Sequence, residues 1–198
     1  MLIGLTGSFG SGKSTILKMF HRLGARVVSA DEIVHELLRR PDVKSEIRKV
    51  IGQEVFNGPD LDKERLARRI FSSEMDRKKL EQILHPLVYK EVIALNKAHP
   101  ESIVVAEIPL LFESKRKDDF DLVVLVTCEP EIAIQRLEKR GFSRQEALAR
   151  LKAQMPVSEK VKMADYIIDN SGPLDEAERQ VHTLWMRLRT QDRGSLND

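Results

Sequence analysis

Residues 7 to 14 read Gly7-Ser8-Phe9-Gly10-Ser11-Gly12-Lys13-Ser14, between an apolar run, Leu2-Ile3-Gly4-Leu5-Thr6, and a segment with helical spacing, Lys13 to Leu23. Glycines at 7, 10 and 12 give the backbone the freedom to turn successive N–H groups toward an anion. Ile16, Leu17, Phe20 and Leu23 share one helical face, and Gly24 ends that helix. A helix N-terminus favours negative charge. Strand, glycine-rich loop, Lys-Ser and helix together read as a phosphate-binding loop. Gly7, Gly10, Ser11 and Gly12 would wrap the phosphates of a nucleotide. Lys13 would reach the β- and γ-phosphates, the Ser14 hydroxyl would ligate magnesium (Mg2+), and Thr15 would meet the α-phosphate. The expectation is a P-loop phosphotransferase that uses ATP with magnesium.

Working outward, Ala25 to Ser29 reads as a second strand. Residues 31 to 99 read as successive helices with apolar stripes at Ile33, Val34, Leu37 and Leu38; at Val43, Ile47, Val50 and Ile51; at Leu66, Ile70 and Phe71; and at Leu80, Ile83, Leu84, Leu87 and Val88. Pro41, Gly52, Asn57-Gly58-Pro59 and Pro86 punctuate them. Strands resume at Ser102 to Glu107 and Leu122 to Cys128, rich in Val and Ile as in strands covered on both faces. Pro130 to Met155 is helical, charged and broken at Gly141. Tyr166 to Asp169 is a last strand. Asp175 to Leu188 is a final helix with Val181, Leu184, Trp185 and Leu188 on one face, and the polar tail from Thr190 should fray. The predicted fold is α/β: a five-stranded parallel sheet flanked by helices, one domain over 1–198, with a helical insertion at 31–99 and a helical segment at 130–155.

Composition bounds the function. The chain has 198 residues, with 33 Lys and Arg against 31 Asp and Glu, a net charge of +2. That charge, with 5% aromatics, speaks against a nucleic-acid partner. The single cysteine, Cys128, forbids an internal disulfide, fits a reducing compartment and reads as a packed side chain. No apolar run is long enough for a membrane span and no signal peptide is visible, so the expected location is cytoplasmic. Monomer and small homo-oligomer are equally compatible with the sequence.

A guanine-reading Asn-Lys-x-Asp is matched only by Asn96-Lys97-Ala98-His99, which lacks the Asp and precedes a strand. Asp31 follows the second strand and opens a helix. At that rim it is the candidate base for an acceptor hydroxyl, a role compatible with capping the helix. Glu107 either holds magnesium through water or caps its strand. Arg136 and Arg140, four apart, fall on one helical face, and Arg140 is the candidate to neutralise charge on the transferred group from a closing lid. Glu146 and Arg150 have the spacing of an intrahelical ion pair. His21 and His182 read as surface residues, and His35, one turn after Asp31, as substrate-facing.

Several separate blocks resemble the dephospho-CoA kinase family. They are Ile3-Gly4-Leu5-Thr6-Gly7 with Gly10 to Thr15; Ala30-Asp31 with Ile33, Val34 and His35; Arg69-Ile70-Phe71; Leu84-His85-Pro86-Leu87-Val88; Pro109-Leu110-Leu111-Phe112-Glu113; Arg136, Arg140, Arg150 and Gln154; and Ala164 to Gly172. The His-Pro-Leu and Pro-Leu-Leu-Phe-Glu blocks are more specific than the loop alone. The chain departs at Ser29, where the family's pattern has Asp; Asp31 is kept. The resemblance implies ATP-dependent phosphorylation of the ribose 3′-hydroxyl of dephospho-CoA, a CoA-binding insertion at 31–99 and a mobile lid at 130–155. It also implies that Asp31 is the base and that Arg69, His85 and Pro86 shape the acceptor site; Asn170 and Pro173, placed after the last strand, are expected near the adenine of the bound nucleotide.

Overall fold

The computed structural model describes residues 1–194. The chain divides into two compact units, Ser29–Ala98 and the remainder. Among the described residues of the larger unit, strands β1 (Leu2–Gly7), β2 (Arg26–Ser29), β5 (Val104–Glu107), β6 (Leu122–Thr127) and β7 (Tyr166–Asp169) form one sheet in the order β2-β5-β1-β6-β7. The ladders of β1 with β5 and β6, and of β6 with β7, are parallel. Every residue of β1 is buried, so this central strand reads as a continuous apolar run. Ile3, Leu5, Val105, Val124, Val126 and Ile168 face one layer, made by α1 (Lys13–Arg22) and α9 (Leu174–Gly194) through Ile16, Phe20, Val181, Leu184 and Leu188. Close packing governs the other face too: a Cβ on Gly4 would come within 2.6 Å of Leu111. The last helix continues past Thr190, whose hydroxyl donates to the Met186 and Arg187 carbonyls; residues 195–198 of the polar tail expected to fray lie outside the described residues.

The smaller unit holds α2 (Ala30–Leu37), α3 (Pro41–Val50), α4 (Lys63–Ser72) and α5 (Glu74–Ala98). Leu37, Val43, Ile47, Leu66, Leu80, Leu84, Val88 and Val92 are buried, with α2, α3 and α4 each packed on α5. Two expectations are corrected here. Pro86 lies inside α5 and does not interrupt it. Its missing N–H and its clash with the preceding turn are costly, but the stripe Leu80-Leu84-Val88-Val92 is buried above and below it and holds the helix together. The turn at Asn57-Gly58-Pro59 lies in a small antiparallel hairpin, β3 (Phe56–Asn57) with β4 (Asp60–Leu61), too short to show strand periodicity. No helix among the described residues is long and apolar enough to cross a membrane.

Arg69 reaches from α4 to Asp76 on α5, a carboxylate that is 2% exposed. Burial opposes ionisation of Asp76; the hydrogen bonds from Arg69 and Ser73, with the charges of Arg69 and Lys79, outweigh it and hold the carboxyl below its usual range. A lowered native value means that the stability it contributes is fully present above the ordinary carboxylate value, about pH 4, and is lost as pH falls through the native value. Asp76→Asn should therefore flatten the acid limb of the stability curve. Urea unfolding between pH 6 and pH 3 (about the span of the carboxylate range) checks this, and an unchanged acid limb counts against it.

Candidate active site

A loop that turns its N–H groups toward a ligand turns carbonyls the other way, and buried carbonyls need donors. Lys13 Nζ, on the first residue of α1, donates to Gly7 O at 2.9 Å and Ser8 O at 3.0 Å. Asn170 Nδ2, just beyond β7, donates to Ser11 O at 2.8 Å. Arg136, from α6 (Pro130–Glu138), donates to the same carbonyl at 3.3 Å and to Asn170 O at 2.8 Å. Lys13 and Asn170 are both buried. Gly12 has φ +90, and a Cβ there would lie 2.2 Å from Asn170 Nδ2, so both backbone conformation and space require glycine. Gly10, at φ +82, would press a Cβ to 2.8 Å from Ala133 O.

Ser14 and Thr15 are exposed in the first turn of α1. Ser14 Oγ donates to Glu107 Oε1 at 3.2 Å, and Glu107 is buried at the end of β5. A hydroxyl beside one carboxylate is a sparse set of hard oxygen donors. It fits magnesium, which takes one or two protein ligands and completes its shell with phosphate oxygens and water. Cys128 packs near Gly10 O, as expected; burial pushes its thiol up, with Arg136 pulling less strongly the other way.

The segment after β6 differs from the expectation in detail. The helix α6 ends at Glu138, so Arg136 and Arg140 do not share one helical face: Arg136 turns to the loop and Arg140 stands exposed beyond the helix. The helix α7 (Arg144–Lys152) opens with a Ser143–Glu146 capping box, which engages Glu146. Arg150 instead lies over the rings of Phe9, at 5.2 Å, and Phe142, at 4.8 Å, and those rings meet edge-on. Cation–π contact on two faces replaces the expected ion pair. Gln154 Oε1 accepts from the Phe9 N–H at 2.9 Å. Arg136 and Gln154 are thus loop partners whose role sequence spacing did not reveal.

The acceptor-side candidates all belong to the smaller unit. Asp31 is the second residue of α2 and exposed; the cap position is Ser29, which makes no side-chain cap bond, so Asp31 is not the cap. His35 sits between two cations, with Nε2 2.8 Å from Arg39 and Nδ1 3.1 Å from Lys63 Nζ. His85 and Pro86 are exposed on α5. Arg69 keeps part of its guanidinium exposed while bonded to Asp76.

A phosphate loop opening a helix after the central strand of a parallel sheet defines the P-loop nucleotide-binding fold. The shikimate kinase from Acinetobacter baumannii, solved with shikimate, shares this fold with a TM-score of 0.54 at 17% identity, over 96% of this chain and 93% of its own. A family model for dephospho-CoA kinase matches residues 1–176, and the chain belongs to the dephospho-CoA kinase family. It is 38% identical over 189 residues to the dephospho-CoA kinase of Aquifex aeolicus (strain VF5), covering 94% of this chain and 96% of that one. The crystal structure of TT1252 from Thermus thermophilus matches with a TM-score of 0.82 at 33% identity, over 95% of this chain and 97% of its own.

Because Arg136 completes the Ser11 carbonyl, Arg136→Met should loosen the loop without opening the core. The expected result is ADP binding weakened roughly tenfold, equivalent to about 1.4 kcal/mol, read by calorimetry. Affinity within about twofold of the parent would remove this role.

Proposed function

We propose that the chain transfers the γ-phosphoryl group of ATP to the ribose 3′-hydroxyl of dephospho-CoA, giving coenzyme A and ADP. The observation that carries the reading is the intact phosphate loop on a chain that matches the family over residues 1–176. Residues Gly7, Gly10, Ser11, Gly12, Ser14 and Thr15 bind the ATP phosphates through loop and helix N–H groups, with Lys13 supplying positive charge from beneath. Asn170 and Arg136 hold the loop's shape. Ser14, with Glu107 beside it, would hold magnesium, which when bound neutralises charge on the phosphates.

Asp31 accepts the proton from the 3′-hydroxyl as that oxygen bonds to the γ-phosphorus. The bond from the γ-phosphorus to the bridging oxygen breaks, and ADP leaves with that electron pair. Asp31 is suited to this role by its exposure and its place directly after β2, since ligands of such sheets lie beyond the carboxyl ends of the strands. The cations Arg39 and Lys63, on either side of His35, match an acceptor that carries a diphosphate, and Arg69, His85 and Pro86 complete the acceptor side of the 31–99 insertion. Arg140 comes from the 130–155 segment, acting as a lid, to stabilise the transferred group and exclude water.

An ADP-release assay with ATP, magnesium and dephospho-CoA, run beside AMP, CMP, shikimate and a blank without acceptor, tests the substrate. The expected outcome is turnover with dephospho-CoA alone and a product heavier by one phosphate; turnover with another acceptor overturns the assignment. Asp31→Asn should lower kcat roughly 10²–10⁴-fold with ADP affinity retained. A near-normal kcat would take the base role from Asp31.

A further inference from the structure

Lys160, in α8 (Val157–Met163), has a side chain with 0% exposure, and its Nζ lies 2.8 Å from Glu113 Oε1. Beyond that contact Lys160 Nζ has no hydrogen-bonding partner among the described residues, and Glu113 Oε2 is buried without one. An ion pair so sparsely supported is a poor source of stability. Desolvating two charges costs several kcal/mol, and a well-packed apolar pair of similar volume commonly holds a core as well. Stability alone therefore gives no reason for a charge at Lys160, but its surroundings do.

Glu113 closes the Pro109-Leu110-Leu111-Phe112-Glu113 block. Its Oε1 also accepts the Met155 N–H at 3.2 Å. The residue before Met155 is Gln154, whose Oε1 takes the Phe9 N–H at 2.9 Å. The Phe9 ring is held in turn by Phe142 and by Arg150. Phe9 is the bulky residue in a loop otherwise built of small ones, and it is fixed at both its amide and its ring. The route from Lys160 to the loop is continuous: ammonium to carboxylate, carboxylate to the Met155 amide, the adjacent Gln154 amide oxygen to the Phe9 N–H. Without Lys160, Glu113 would be a largely buried carboxylate with no cation, driven to turn outward to water or take up a proton. Either change would loosen Met155, and with it the acceptor that Gln154 offers to the loop.

We propose that Lys160 is a positioning residue of the nucleotide site, acting through Glu113 on Met155 and through Gln154 on the Phe9 amide. The inference rests on the nucleotide half of the proposed function and is independent of the acceptor. It predicts an effect confined to the nucleotide: Lys160→Met raises the KM for ATP and weakens ADP binding by roughly five- to tenfold, while the KM for the acceptor stays within about twofold. Gln154→Ala, which cuts the link without disturbing the buried pair, weakens ADP binding to a similar extent. In the Gln154→Ala background, Lys160→Met adds less than about twofold, because one route is broken once.

Calorimetric titration of the full chain with ADP, alone and in this double-mutant cycle, is the deciding experiment. Since no acceptor is present, it decides the inference even where the acceptor assignment fails. Full independence of the two substitutions, or a folded Lys160→Met protein with parental ADP affinity, overturns it. Should Lys160→Met not fold, parental ADP affinity in Gln154→Ala overturns it equally.

Discussion

The phosphate loop imposes a constraint that reaches through the larger unit. Backbone N–H groups can be presented to phosphate only if the carbonyls of the same peptides are satisfied on the protein side. Here Gly7 O and Ser8 O are met by Lys13, and Ser11 O by Asn170 and Arg136. These donors come from α1, from the end of β7 and from α6, so the loop is held only if the sheet has brought those elements to one place. Sheet order and loop chemistry are then one requirement. With β1 at the centre, β6 beside it and β7 next, the segments that follow β6 and β7 can deliver Arg136 and Asn170 to the loop that follows β1.

The same requirement decides what could and could not be read from sequence. The loop, its strand and its helix are contiguous, and glycine, lysine and serine at those offsets suit a bound phosphate and little else. The strands around them are apolar because both faces are covered, so the sheet was legible. Asn170 was expected near the adenine from its position after the last strand, whereas its side chain bonds the Ser11 carbonyl of the phosphate loop across 159 residues. Arg136 reaches the loop across 125 residues and Gln154 across 145. Periodicity reports which face of a helix is apolar and says nothing of what that face meets. It placed Arg136 and Arg140 together on a helix that in fact ends between them. It paired Arg150 with Glu146, where two aromatic faces and a capping serine offered better partners. Pro86 failed as a boundary for a related reason: local rules set the cost of proline in a helix, and tertiary burial of the flanking stripe set the outcome.

The division of residues between the two units follows the division of chemical labour. Those assigned to the nucleotide, Gly7 through Thr15 with Arg136 and Asn170, belong to the larger unit. Those assigned to the acceptor, Asp31, His35, Arg69, His85 and Pro86, belong to Ser29–Ala98. The two groups differ in character as well. Lys13 and Asn170 are buried and bonded to backbone, whereas Asp31, His35 and His85 are exposed side chains on helices. Nucleotide phosphates are recognised by a rigid backbone cradle that tolerates no Cβ at Gly12. On the proposed function, the acceptor is met by side chains on a helical surface. A helical insertion supplies such a surface without altering the parallel sheet. On that reading the acceptor is served by a second compact unit, Ser29–Ala98, rather than by longer loops around the first.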